Sequence, residues 1–171
     1  MSTTPDMRKR TPEELAELRR ITALQDEDRM ATHSICERIS PERKAAILKA
    51  ALNRLKDPIE LHYFISNWNS DGGVAPLLEI VQHPSCDAGT ALWLYWDNDP
   101  YYYTRFRSVD DSDDDEERTM LTLSRTIEDR FKRSDFATSM IPFDPQHWLG
   151  KKSSGAVHQI PQIMTKAVAG N

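Results

Sequence analysis

Two cysteines, Cys36 and Cys86, are all that this chain of 171 residues carries. They lie far apart and outside any paired spacing, which excludes a disulfide scaffold and leaves reduced thiols as the expectation. Alternating apolar and polar runs, the mark of half-buried strands, are nearly missing, and that turns the reading away from sheet. No apolar run approaches the ~18 residues of a membrane span. Basic residues are the minority, 22 Lys and Arg against 27 Asp and Glu, for a formal net charge of −5. Such a balance is poorly suited to displacing counterions from nucleic acid, and it suits a basic protein partner. The opening MSTTPDMRKR runs into TPEELAELRR rather than into the apolar stretch of a secretory leader. A cytoplasmic protein, away from membrane and nucleic acid, is expected.

What is present is helical punctuation. Residues 1–10 are polar and are expected to be disordered; residues 11–171 read as one helical domain, in keeping with the length. Thr11-Pro12-Glu13-Glu14, Ser40-Pro41-Glu42 and Asp57-Pro58-Ile59-Glu60 each join a capping residue, a proline at the first helical position and a following glutamate. Apolar faces follow: Leu15, Leu18, Ile21 and Leu24, then Ile47, Leu48, Ala51, Leu52 and Leu55, then Leu61, Phe64, Ile65 and Trp68. Three starts so close together predict short antiparallel helices with short connections.

Asn69-Ser70-Asp71-Gly72-Gly73 is turn chemistry, and the apolar run from Val74 to Val81 is a helix that His83-Pro84 ends. Asp87 is placed to cap a further helix reaching Trp96, with Gly89 in its first turn admitting a close neighbour. Asp97-Asn98-Asp99-Pro100 closes that helix, and Tyr101-Tyr102-Tyr103 opens an irregular segment. Seven of the eight residues from Asp110 to Glu117 are acidic, and helical periodicity resumes over Thr119–Phe131, where preceding acids suit the helix dipole. Pro142–Pro145 reads as a rigid turn, Lys151–Gly155 as a flexible one and Ile160–Val168 as a short last helix. The fold class is all-α: a compact bundle of short antiparallel helices, irregular or repeat-like, with its core motif at 61–96.

Four constellations bear on chemistry. Cys86 ahead of a helix N-terminus, with His83 as base, has the form of a nucleophile pair; against it, His-Pro is a helix stop, Cys is commonly buried, and Asp87 opposes a thiolate. A metal set from His83, Cys86, Asp87 and one of His62, His147 or His158 lacks the paired spacing of structural zinc. The acidic run lacks the alternation and the glycine of a calcium loop. No cofactor and no metal are therefore assigned. Asp110, Asp111, Asp113, Asp114, Asp115, Glu116 and Glu117, beside Tyr101, Tyr102 and Tyr103, form the candidate partner-binding surface, since three consecutive tyrosines cannot all turn inward. Trp68, Trp93 and Trp96 read as core.

The block Trp68-Asn69-x-Asp71-Gly72-Gly73, then His83-Pro84-x-Cys86-Asp87-x-Gly89-Thr90-Ala91-Leu92, resembles a small bacterial domain-of-unknown-function family. In that family an acidic, aromatic turn precedes an H-P-x-C-D-x-G-T-A-L signature. Ser70 and Gly73 depart from its usual choices. Trp68, Asp71, Gly72, His83, Pro84, Cys86, Asp87, Gly89 and Thr90 carry the resemblance as structural residues, and no catalytic residue comes with it. Proteins of this kind are often encoded beside polymorphic toxins. The resemblance thus implies a non-enzymatic immunity protein that binds a cognate, basic effector. Two alternatives stand beside it: a Cys-His enzyme using Cys86 and His83, and a helical adaptor that makes its contact through Thr11–Leu55.

Overall fold

A computed structural model describes residues 49–68, 73–150 and 155–170, together with residues 11–13, 16 and 46. The turn residues Asp71 and Gly72, Cys36, and most of the Thr11–Leu55 stretch lie outside the described residues. Among those described the structure is helical, with no strand beyond two isolated bridges. The all-α expectation holds.

Helix α1 (Pro58–Ser66) starts where its punctuation says. The Asp57 carboxylate accepts the N–H groups of Ile59 and Glu60 at 2.9 and 3.0 Å, and Glu60 accepts the Asp57 N–H in return at 3.3 Å. That reciprocal pair satisfies donors the first turn would otherwise leave open. Trp68, just past the helix, packs on Phe64 and donates its indole N–H to Gly73 O at 3.0 Å. Helix α2 (Ala75–Gln82) ends because Pro84 forces His83 into extended backbone. Helix α3 (Ala88–Asp97) is capped by Asp87 and is buried along most of its length.

Beyond α3 the helices differ from the expected run of short ones. The three tyrosines do not form an irregular segment: Pro100–Tyr103 is a single helical turn, α4, entered through Asp99 in the left-handed region at φ 44°. A 3-10 turn follows at Val109–Asp111. Helix α5 (Asp115–Arg133) has 19 residues, and it starts inside the acidic run rather than after it. Asp114 is its N-cap, accepting the Glu117 N–H at 2.7 Å, so the acids that looked like a loop are in part a helix start. α5 lies against α2 and α3, burying Met120, Leu121, Leu123, Ile127 and Phe131. Leu52 and Leu55, from the stripe predicted before α1, join the same core.

Residues 134–150 and 155–170 run over these helices with only 3-10 turns, at Pro145–His147 and Gln162–Thr165. The expected last helix over 160–168 is reduced to the second of these. Its place is fixed instead by long-range bonds: Trp96 donates its indole N–H to Met164 O at 2.8 Å, and Met164 is itself in the core.

Candidate functional site

Asp87 is the most heavily bonded side chain of the motif, and it is fully buried. Its Oδ1 accepts the N–H of Gly89 at 2.7 Å and of Ile141 at 3.2 Å. Its Oδ2 accepts the Thr138 hydroxyl and the Met140 N–H, both at 2.6 Å. Backbone bonds reinforce the joint, Ala88 N–H to Thr138 O and Ala137 N–H to Cys86 O. One carboxylate thus starts α3 and pins the segment that returns after α5. Gly89 is required by the same joint, because a Cβ there would sit 1.7 Å from Ile141 O. Thr90 bonds Nδ1 of His62 at 3.0 Å, tying α3 to α1. Burial lowers the pKa of His62, with Asp87 acting in the opposite sense.

The Cys86–His83 pair is not assembled for catalysis. Cys86 is fully buried, and its thiol lies 3.6 Å from the backbone carbonyl of Asp87 rather than against an imidazole. Burial first of all pushes the thiol up to about 12, with Arg130 acting against the shift and Asp87 adding to it. The His83 Nδ1 accepts the Ser85 N–H at 3.1 Å, inside its own turn. Among the described residues, no group of three or more His, Cys, Asp and Glu side chains is placed to hold a metal.

The acidic run divides by use. Asp111 accepts the N–H groups of Arg107 and Ser108 at 2.7 and 3.2 Å, and Asp114 caps α5. Glu117 takes the Tyr102 hydroxyl at 2.5 Å, an ion pair with Arg105 at 3.1 Å, and the Ser112 hydroxyl. The Arg105 guanidinium covers the Tyr102 ring at 3.6 Å. Asp110, Asp113, Asp115 and Glu116 stay exposed beside this knot, with Asp115 paired to Arg118 on its own helix. Of the tyrosines, Tyr102 is 40% exposed. Tyr101 packs on Trp96. Tyr103 is half-buried, its pKa raised to about 12 by burial first and then by Glu117 and Glu116.

A buried polar cluster that sequence reading did not single out lies between α3, α5 and the returning segment. Glu128 is 1% exposed. It accepts the Tyr95 hydroxyl at 2.8 Å, the Arg125 guanidinium at 3.2 Å and the His158 Nε2 at 2.9 Å. Arg125 also reaches the carbonyls of Tyr103 and Phe106. Burial and the neighbouring carboxylate raise the Tyr95 pKa, which fixes that hydroxyl as the donor. The sole sequence signal was Glu128 falling in helical register with Leu121, Ser124 and Phe131 on the buried face of α5.

Residues 56–132 match the family model for a domain of unknown function, DUF4274. The matched segment runs from the cap of α1 to the last turn of α5 and contains the whole His83–Leu92 block. Both buried carboxylates lie inside it, whereas Thr138, Met140, Ile141 and His158 lie beyond its end. No curated protein and no solved structure matches the chain. Among the described residues no helix is long and apolar enough to cross a membrane.

Proposed function

We propose that the protein is a non-enzymatic binding protein, most concretely a cytoplasmic immunity protein that neutralises a cognate bacterial effector of basic character by direct contact. The observation that carries this reading is the division of labour in the acidic run. Asp111, Asp114 and Glu117 are committed to caps and to the Tyr102–Arg105 knot, so they hold the backbone of a surface on which Asp110, Asp113 and Glu116 remain exposed. Fixed like charges beside a partly exposed tyrosine give a basic partner both electrostatic steering and an aromatic contact. The burial of Cys86 and its elevated pKa count against the Cys-His alternative. The toxin-directed part of the reading rests on the resemblance of the His83–Leu92 block.

The test begins with capture of a partner from the source lysate and identification of what is retained. A basic effector, bound tightly and inactivated, is the expected result. The triple variant D110N/D113N/E116Q should then associate about tenfold more slowly with it at low salt, with a small change in dissociation. A complex that forms at unchanged speed removes the acidic surface from the interface.

A further inference from the structure

At the end of α5 remote from the acids, an open cleft of about 480 Å³ lies where the C-terminal ends of α2 and α5 meet the returning segment. Arg130 forms part of its wall, with Arg133, Asp135, Phe136 and Pro84 around it. The Arg130 side chain is withdrawn from water, at 7% exposure for the residue. Of its five N–H donors, Nε–H goes to Asp135 O at 2.7 Å and one on Nη1 goes to Val81 O. The Phe136 ring lies under the guanidinium, 4.4 Å from its carbon. Among the described residues Nη2 makes no bond and no carboxylate pairs with this cation. The Asp135 side chain turns to Arg133 instead, at a loose 3.8 Å.

A guanidinium taken out of water costs free energy unless an anion or a full set of acceptors offsets it. Two carbonyls supply partial charges and, among the described residues, leave three donors open. Burial, an incomplete donor set and an adjoining cleft coincide at one residue.

We propose that this cleft binds the carboxylate of a small organic acid. The open donors of Arg130 take the carboxylate, a match of two planar forks. Arg133 adds a second positive charge from the rim, and Phe136 with Pro84 covers the apolar body of the ligand. The Asp135 carboxylate competes for Arg133, so it holds affinity down.

Benzoate is the probe, with inorganic phosphate and chloride alongside. Titrated into the full chain and followed through the NMR signals of the Arg130 Nε–H and the Phe136 ring, benzoate should give saturable shifts and chloride none. R133Q, at an exposed position that leaves the core untouched, should weaken benzoate about tenfold, while D135N should tighten it by a factor of about three. Both variants should keep the wild-type thermal transition. Absence of saturation at roughly tens of millimolar would overturn the site. Shifts that neither variant alters would do the same, and phosphate binding tighter than benzoate would overturn the ligand class.

Discussion

Gly89 is the residue on which the joint between α3 and the returning segment depends. Its helical backbone needs no positive φ, so the demand is for space: a methyl group there would meet Ile141 O at 1.7 Å. G89A should cost about 3 kcal/mol or more, the range of severe overpacking against backbone; a denaturant midpoint within error of the wild type would show that the joint can open without penalty. His62 gives a pH dependence. Burial lowers its pKa below the ordinary 6.5, so on acidification the unfolded chain takes up a proton that the folded chain resists. Stability rises with pH wherever the unfolded state binds more protons. The contribution is therefore fully present above pH 6.5 and lost as pH falls below it. Melting temperature followed from pH 8 down to pH 5.5 should decline, and less steeply in H62Q. The Asp87 cap and the His83-Pro84 corner were legible in the sequence because each acts within a few residues of itself, and Gly89 showed the need for a close neighbour without showing which. The partners of Asp87 at Thr138, Met140 and Ile141 were not, since nothing local to either end encodes a bond across some fifty residues.

At the level of elements, helix starts read well and helix lengths poorly. The box at Asp57 and the cap at Asp87 announce α1 and α3, because capping chemistry is written in adjacent residues. α5 begins four residues before its apolar periodicity does, since its first turn is made of charged residues with no apolar one among them. Within the charge run Asp114 also serves as the cap of α5. D114A should destabilise the protein by about 1 kcal/mol, a usual cost for a lost N-cap, while D113N, one residue outside, should stay within about 0.5 kcal/mol of the wild type. Equal effects in urea unfolding would mean that summed charge, rather than the bond to the Glu117 N–H, stabilises that turn. The 3-10 turn at Gln162–Thr165 is the opposite case. Weak helical patterning there gives way to a conformation set by what Met164 reaches, the core beneath Trp96.

For the whole molecule, the segment that matches the DUF4274 model and the set of residues that pack together have different limits. A chain cut after Arg133 keeps α1 to α5, yet it leaves Asp87 without three of its four donors and Glu128 without His158. A buried carboxylate deprived of partners is strongly destabilising, and Met164 would leave a hole in the core as well. That truncated chain should lose near-ultraviolet circular dichroism and cooperative melting while retaining part of its helical signal. A sharp transition within a few degrees of the full chain's would show that the helices stand alone. Glu128, Tyr95, Arg125 and His158 were illegible together for the same reason that makes truncation severe: three well-separated parts of the sequence meet at one carboxylate.

The bond from Trp96 to Met164 spans 68 positions, and it has a consequence in time. On the ribosome the helices emerge first, and for as long as it takes to make those 68 residues the face that Met164 will cover stays open. At 5–20 residues per second that interval is several seconds, far longer than a helix needs to form. Closure is therefore the slow, late event in folding. Until it occurs, the nascent chain presents a tryptophan-lined apolar face and two carboxylates short of donors to whatever chaperone or neighbouring chain is at hand.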